Sequence, residues 1–243
     1  MLSLANSSFH EKQEWLAHVT KEREAYQRVF TEIGSSDARP IKAARLVTEI
    51  RDFVDGETYV ITDGSDVAAL GRVYLQARLP RHIINGPSNW GNMGTGVALA
   101  IGVKLARPDS RVLLMTSDGS FGFNAFEMET ASRYGIPIVV VIGNNHSWAS
   151  DHNILLKVMG EKYAKSLVSW LPEETRYDKF AESVGCYGQL VTEPSDIRPA
   201  LQRAFDSKRP SVLDVRLERS DAWPSRTEKY SPLDMPLEKG LVI

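Results

Sequence analysis

The sequence predicts an α/β protein: a doubly wound parallel sheet flanked by helices, with a helix ahead of it and an irregular C-terminal arm behind. Three observations carry this. From residue 57 the chain repeats a strand, turn, helix rhythm. Its strands are continuous apolar runs, such as RVLLMTS at 111–117 and IPIVVVIG at 136–143, as expected of strands covered on both faces. Helical patterns separate these runs, which is the connection that parallel strands require.

Residues 10–33 are highly charged, with apolar residues at Trp15, Leu16, Val19, Tyr26, Val29 and Phe30, the pattern of a mostly solvated helix that docks on its own body or on a partner. GSSDARP at 34–40 reads as a loop, and Pro40 as the first-turn residue of an amphipathic helix running to Val54. TYVITDGSD at 58–66 is a short strand running into a glycine turn. VAALGRVYLQARL is helical, RHIING a short strand, and GTGVALAIGVKLA a helix rich in small residues. RVLLMTSDG is a buried strand, NAFEMETASRYG a helix closed by Gly135, and IPIVVVIGNN another buried strand. YDKFAESVG and PSDIRPALQRAFDSK are helices, and PSVLDVRLE is a strand. The organisation expected is a helical linker or docking segment at 1–39, a sheet domain at 40–218 and a proline-containing arm or lid at 219–243.

The totals set bounds. The chain has 243 residues, 42% hydrophobic and 25% charged, with a net charge of -2, so it can build a full core and lacks the basic footprint of a nucleic-acid binder. Its single cysteine, Cys186, forms no intrachain disulfide and reads as a small buried hydrophobe. The first residues show no basic stretch leading into an apolar one, and the longest apolar run is too short to span a bilayer. The expectation is a cytoplasmic protein with neither a membrane nor a nucleic acid among its partners.

Asp118 and Asn145 stand 27 positions apart, each at the end of an apolar strand. Open parallel sheets bind ligands at the carboxyl ends of their strands. The amides of Gly119 and Ser120, where a turn enters a helix, suit an anion. A carboxylate oxygen and a carboxamide oxygen are hard ligands that suit Mg²⁺, which binds few protein oxygens and keeps waters and phosphates. Taken singly, Asp-Gly after a strand is a common turn and Asn-Asn a common loop. It is the combination, spaced as one strand–helix–strand unit, that points to a Mg²⁺-diphosphate site. A generic dinucleotide-binding domain fits less well: GNMGTG is not GxGxxG, and no acidic residue follows at the right strand end.

Asp-Gly-Ser followed at this interval by Asn-Asn resembles the thiamin-diphosphate fingerprint of the decarboxylase and lyase superfamily. WGNMGTGVALAIGVKLA at 90–106 resembles the segment that grips the aminopyrimidine. TDGSDVAALGRVYLQARLPRH, with FGFNAFEMETASRYGIPI, is similar to 2-hydroxyacyl-CoA lyase and oxalyl-CoA decarboxylase. The resemblance covers roughly residues 40–218. It implies that Asp118, the side chain of Asn145 and the carbonyl of Ser147 bind Mg²⁺. It implies that the amides of Gly119, Ser120 and Trp148 hold the diphosphate, with Ser65 nearby. Gly91 would accept the 4′-amino group through its carbonyl, and Met93 would be the apolar wedge that bends the cofactor. Ser117 stands where the family usually has glycine. His146 reads either as a solvated loop residue or as one facing substrate, Trp90 and Trp148 as packing or substrate contacts, and Glu127 and Glu129 as structural.

Full-length members of this superfamily carry three domains, and the chain resembles the last. The glutamate that activates the aminopyrimidine belongs to the first. The expectation is therefore the small subunit of a two-subunit lyase, a heterotetramer with two copies of each chain, whose large subunit supplies the pyrimidine-binding and central domains. Its substrate would be a 2-hydroxyacyl-CoA, cleaved to formyl-CoA and an aldehyde or ketone, or formed in reverse. The alternatives are a split 2-oxoacid decarboxylase or acetolactate synthase-like enzyme, and a regulatory subunit that only binds cofactor.

Overall fold

The computed structural model describes residues 9–64, 66–75, 82–86, 90–159 and 169–219. The chain divides into two units. One comprises residues 1–33 and 224–243, and its described part is helix α1 (Phe9–Gly34) up to Ile33, on which Trp15, Leu16 and Val19 are exposed. The other, Gly34–Trp223, carries a six-stranded sheet. The arm expected at 219–243 lies outside the described residues beyond Arg219.

The sheet unit runs α2 (Ala43–Phe53), β1 (Tyr59–Thr62), α3 (Asp66–Tyr74), β2 (Ile83–Asn85), α4 (Gly96–Ala106) and β3 (Val112–Ser117). Helices α5 (Asp118–Phe123) and α6 (Glu127–Arg133) follow, then β4 (Val139–Asn144) and α7 (Ala149–Met159). The chain closes with α8 (Tyr177–Ser183), β5 (Tyr187–Val191), a 3-10 turn at Pro194–Asp196, α9 (Ile197–Asp206) and β6 (Ser211–Arg216). All strands are parallel, in the order β2-β1-β3-β4-β6-β5. The doubly wound parallel sheet expected from the sequence is what forms.

The central strands are apolar throughout because helices cover both faces. Ile61, Leu114, Val140, Ile142 and Val212 share one core with Val97 and Ile101 of α4, Phe121 of α5, Met128 of α6 and Ala181 of α8. The alternate residues Leu113, Met115, Val139, Val141, Leu213 and Val215 are equally buried on the other face, where α3 lies against β3 and α9 against β6. Burial of this kind stabilises by roughly 25 cal/mol per Å² of apolar surface removed from water, which favours these runs as strands whatever their individual propensities.

Three local expectations are corrected. Pro40 does not open α2: Ile41 instead makes a parallel bridge beside β6, its amide donating to the Arg216 carbonyl, and the helix starts at Ala43. Pairing of the Ile41 backbone with the sheet leaves it no freedom to be helical. Asp118–Ser120 is not a turn before a helix but the first turn of α5 itself, with Ser117 in extended conformation as its cap. The helix expected from Asn124 begins only at Glu127, because Asn124 leaves helical geometry at the end of α5. Strand β5 and helix α7 were not legible as elements; β5 is a half-buried edge strand carrying Gly188 and Gln189 rather than an apolar run.

The site is set by a reversal of winding. From β1 the chain goes to β2 on one side, then returns past β1 to lay β3 on the other. Such a switch point opens a crevice at the carboxyl ends of the two strands. Here those ends are Asp63-Gly64 and Asp118-Gly119, and the end of β4 brings Asn144 and Asn145 alongside.

Candidate cofactor site

Asp118 leaves β3 directly into α5 and is 0% exposed. Its Oδ1 accepts from the Gly119 amide at 2.9 Å, while its Oδ2 has no hydrogen-bond partner. The amides of His146 and Ser147 also face this carboxylate. Burial nevertheless dominates and pushes its pKa up to about 7. A buried carboxylate oxygen without a partner is costly, and a divalent cation is one group that would satisfy it.

The β4 end supplies the remaining oxygens. Asn145 is buried, and its side-chain oxygen accepts from the Ser147 amide at 3.1 Å, the same amide that faces Asp118. Asp118 and Asn145 therefore converge on one loop. That loop turns at His146, a non-glycine residue at φ 55, where the preceding Asn144 side chain accepts the His146 amide at 3.2 Å. Among the described residues no group of three or more His, Cys, Asp or Glu could hold a metal. A metal here would be held by Asp118, the Asn145 amide oxygen and the Ser147 carbonyl, a donor set of hard oxygens that matches Mg²⁺.

The other expected residues fall as follows. Ser120 is fully buried in α5 and its hydroxyl is without a partner. Gly119 lies against Trp148, so close that an added Cβ would meet the indole at 2.8 Å, and that indole meets Phe123 edge-on at 5.7 Å. Trp148 thus packs against Gly119 and Phe123. Its amide donates to the Ser169 carbonyl at 2.8 Å instead of standing free for a diphosphate. Gly91 has φ 65 and Met93 is solvent-facing, so this stretch stands out from the body of the domain. Trp90 is 91% exposed. Ser65 lies outside the described residues. Ser117 fits where glycine was expected because its backbone is extended; its hydroxyl lies beside Gly64. Glu129 pairs with Arg133 at 3.1 Å, in keeping with a structural role, and Glu127 opens α6. Cys186 is buried with its thiol on the Met128 carbonyl, and burial raises it to about 11.

His146 is half-buried, and both of its ring nitrogens have partners in the structure. Its Nδ1 meets the Pro172 carbonyl at 3.1 Å and its Nε2 meets the Arg216 guanidinium. Burial and the Arg216 charge lower its pKa, so the ring is neutral, donating from Nδ1 and accepting at Nε2.

Four site-supporting features had no expectation attached. Asp63, at the end of β1, is 1% exposed and accepts the amides of Gly64 at 2.7 Å and Gly96 at 2.8 Å. Asp214 on β6 accepts from the Asn144 side chain at 2.8 Å and from the Tyr177 amide at 3.1 Å, and pairs with Arg216 at 3.4 Å. Tyr177 sets its ring edge-on to Phe121, and its hydroxyl reaches the Asp118 carbonyl at 3.4 Å. The segment at Ser169–Pro172 covers the loop after β4 through an antiparallel bridge between Ser147 and Trp170. One signal was present for Asp214: a carboxylate inside an otherwise apolar strand demands partners.

An open parallel sheet whose switch-point crevice gathers a buried carboxylate, a carboxamide and a run of backbone amides defines a domain for a metal-bound phosphate cofactor. The family follows from comparison. Residues 64–215 match the model of the thiamine pyrophosphate enzyme C-terminal TPP binding domain, and the chain belongs to that family. Thiamin diphosphate, another name for the same compound, is the cofactor of such domains, with Mg²⁺ its usual partner metal. The acetolactate synthase large subunit IlvG of Mycobacterium tuberculosis is 33% identical over 227 residues, 93% of this chain and 40% of that protein. The 2-hydroxyacyl-CoA lyase of Oryza sativa subsp. japonica is 28% identical over 84% of this chain and 36% of its own length. The chain thus spans about two-fifths or less of these relatives. The fold matches Rhodococcus jostii RHA1 thiamine diphosphate-dependent 4-hydroxybenzoylformate decarboxylase with a TM-score of 0.68 at 21% identity, over 76% of this chain and 34% of that one. Among the described residues no helix is long and apolar enough to cross a membrane.

Proposed function

We propose that the chain is the diphosphate- and Mg²⁺-binding subunit of a thiamin-diphosphate lyase that cleaves a 2-hydroxyacyl-CoA to formyl-CoA and an aldehyde or ketone, or runs the reverse condensation. The observation that carries the cofactor half of this reading is the convergence of Asp118, with its unpartnered buried oxygen, and Asn145 on the Ser147 amide. Bound thiamin diphosphate supplies an electron sink for making or breaking a bond to a carbonyl carbon. The protein's share is placement. Asp118, Asn145 and the Ser147 carbonyl hold the metal, Gly119 and Ser120 approach the diphosphate, and Gly91 and Met93 receive the pyrimidine end.

The group that activates the aminopyrimidine comes, on this reading, from a large subunit carrying the pyrimidine-binding and central domains, in a heterotetramer. The acidic residues Glu127 and Glu129 lie on α6, beyond the crevice, and Glu129 is engaged by Arg133. A second reading, an acetolactate synthase-like enzyme, is favoured by one observation: the 33% identity to an acetolactate synthase large subunit runs over 93% of the chain. The test is to purify the tagged chain from its host, isolate the complex and assay it with 2-hydroxyacyl-CoA and with pyruvate. Release of formyl-CoA supports the lyase, and acetolactate formation supports the second reading. Full activity from a homo-oligomer of this chain alone overturns the split enzyme.

A further inference from the structure

The Gly91–Met93 stretch stands out from the domain, yet the residue that follows it is held from two sides. The Gly94 carbonyl accepts the Asn124 side-chain amide at 2.8 Å. The Gly94 amide faces the Asp63 carboxylate, which also takes the amides of Gly64 and Gly96. Gly94 itself sits at φ 84, and a Cβ there would strike the Phe123 side chain at 2.5 Å. No larger residue fits between the end of β1 and the end of α5.

The chain order gives this clamp a consequence. Helix α5 starts with Asp118 and ends with Phe123, and Asn124 is the next residue. One short helix therefore has the metal-side carboxylate at its start and the Gly94 contacts at its end. Building on the proposed cofactor site, we propose that Asp63 and Asn124 are positioning residues, which pin Gly94 and so hold Gly91 and Met93 in register with Asp118. Without the clamp the pyrimidine end of the pocket loosens while the metal and diphosphate end stays formed.

The test uses the full chain and two readouts. In hydrogen exchange of the cofactor-free protein, Asn124→Ala and the isosteric, donor-less Asn124→Asp speed exchange across residues 90–96 about threefold to tenfold, the effect of one net hydrogen bond. Strands β3 and β4 keep their protection. In titrations with Mg²⁺ present, both variants bind thiamin diphosphate about threefold to tenfold more weakly and bind inorganic pyrophosphate as the wild type does. Asp63→Asn places an N–H where Asp63 now accepts an amide, whichever way the carboxamide turns, and gives a larger effect; because it can also unfold the end of β1, the solvent-facing Asn124 variants decide. Unchanged exchange at 90–96 overturns the clamp. So does an equal weakening of both ligands, which marks a general loss of structure. A wild-type chain that binds neither ligand overturns the cofactor site, while exchange still reports separately on the clamp.

Discussion

Gly119 lies beneath the indole of Trp148, at a distance where a Cβ would come within 2.8 Å of the ring. Alanine in place of glycine inside a helix ordinarily stabilises by about 1 kcal/mol. Here overpacking opposes it, at about 1–3 kcal/mol. Gly119→Ala is expected to destabilise the domain in urea unfolding, and the sign is expected to reverse in a Trp148→Ala background. Equal destabilisation in both backgrounds would remove the indole as the cause.

Asp118 makes the metal-free protein sensitive to pH. Its pKa is raised by burial to about 7, from an ordinary carboxylate value of 3.8. The stability it contributes is fully present below its unfolded pKa and is lost as pH rises through the folded one. Between about pH 4 and pH 7 the loss amounts to roughly 4 kcal/mol at most. Thermal unfolding from pH 5 to pH 8 is expected to show this fall, and Asp118→Asn to flatten it. Mg²⁺ needs the ionised carboxylate, so its stabilising effect is expected to grow over the same range. A wild type and Asp118→Asn that track each other without metal would refute the assignment.

Gly64 carries two separable constraints: φ 88, and a Cα that faces the hydroxyls of Ser117 and Ser120. Gly64→Ala is expected to lose about 1–2 kcal/mol to backbone conformation, plus a crowding component. Adding Ser117→Gly relieves the Ser117 share of the crowding and leaves the backbone conformation unchanged. The double variant should recover part of the lost Tm; complete recovery would mean that the backbone conformation costs nothing.

Asp214 ties β4 to β6 behind the Asn145 loop. Removing its carboxylate leaves the Asn144 amide, the Tyr177 amide and Arg216 without it. Breaking a buried charged network of this kind costs about 3–5 kcal/mol. Asp214→Ala is expected to lower the midpoint of chemical unfolding accordingly, and Asp214→Asn, which retains an acceptor, to lose less. Equal losses would argue that packing rather than hydrogen bonding is what Asp214 supplies.

Much of the fold was legible because its signals are local. Residues 139–142 are apolar without alternation, as befits a strand covered on both faces. Asp118 and Asn145 were legible as strand-end residues for the same reason. Strand β5 was not, because an edge strand with Gly188 and Gln189 lacks a continuous apolar run. Nor was the helical state of Asp118–Ser120, which depends on Ser117 being extended and on α5 packing through Phe121 against Tyr177 and Phe180.

By itself the sequence determined the apolar central strands, most of the helices between them and the polar residues Asp118 and Asn145 that end β3 and β4, since periodicity and apolar content act over a few residues. The tertiary structure alone decided what those ends meet. The insertion of β6 between β4 and β5 brings Asp214 to Asn144, 70 residues away in the chain. The return of the chain past β1 brings Asp63 to Gly96 and Asn124 to Gly94. Arg216 meets the His146 ring and helps hold it neutral, which no reading of the loop alone could anticipate. These contacts join residues that share no local pattern, so they exist only once sheet order has placed the strand ends side by side.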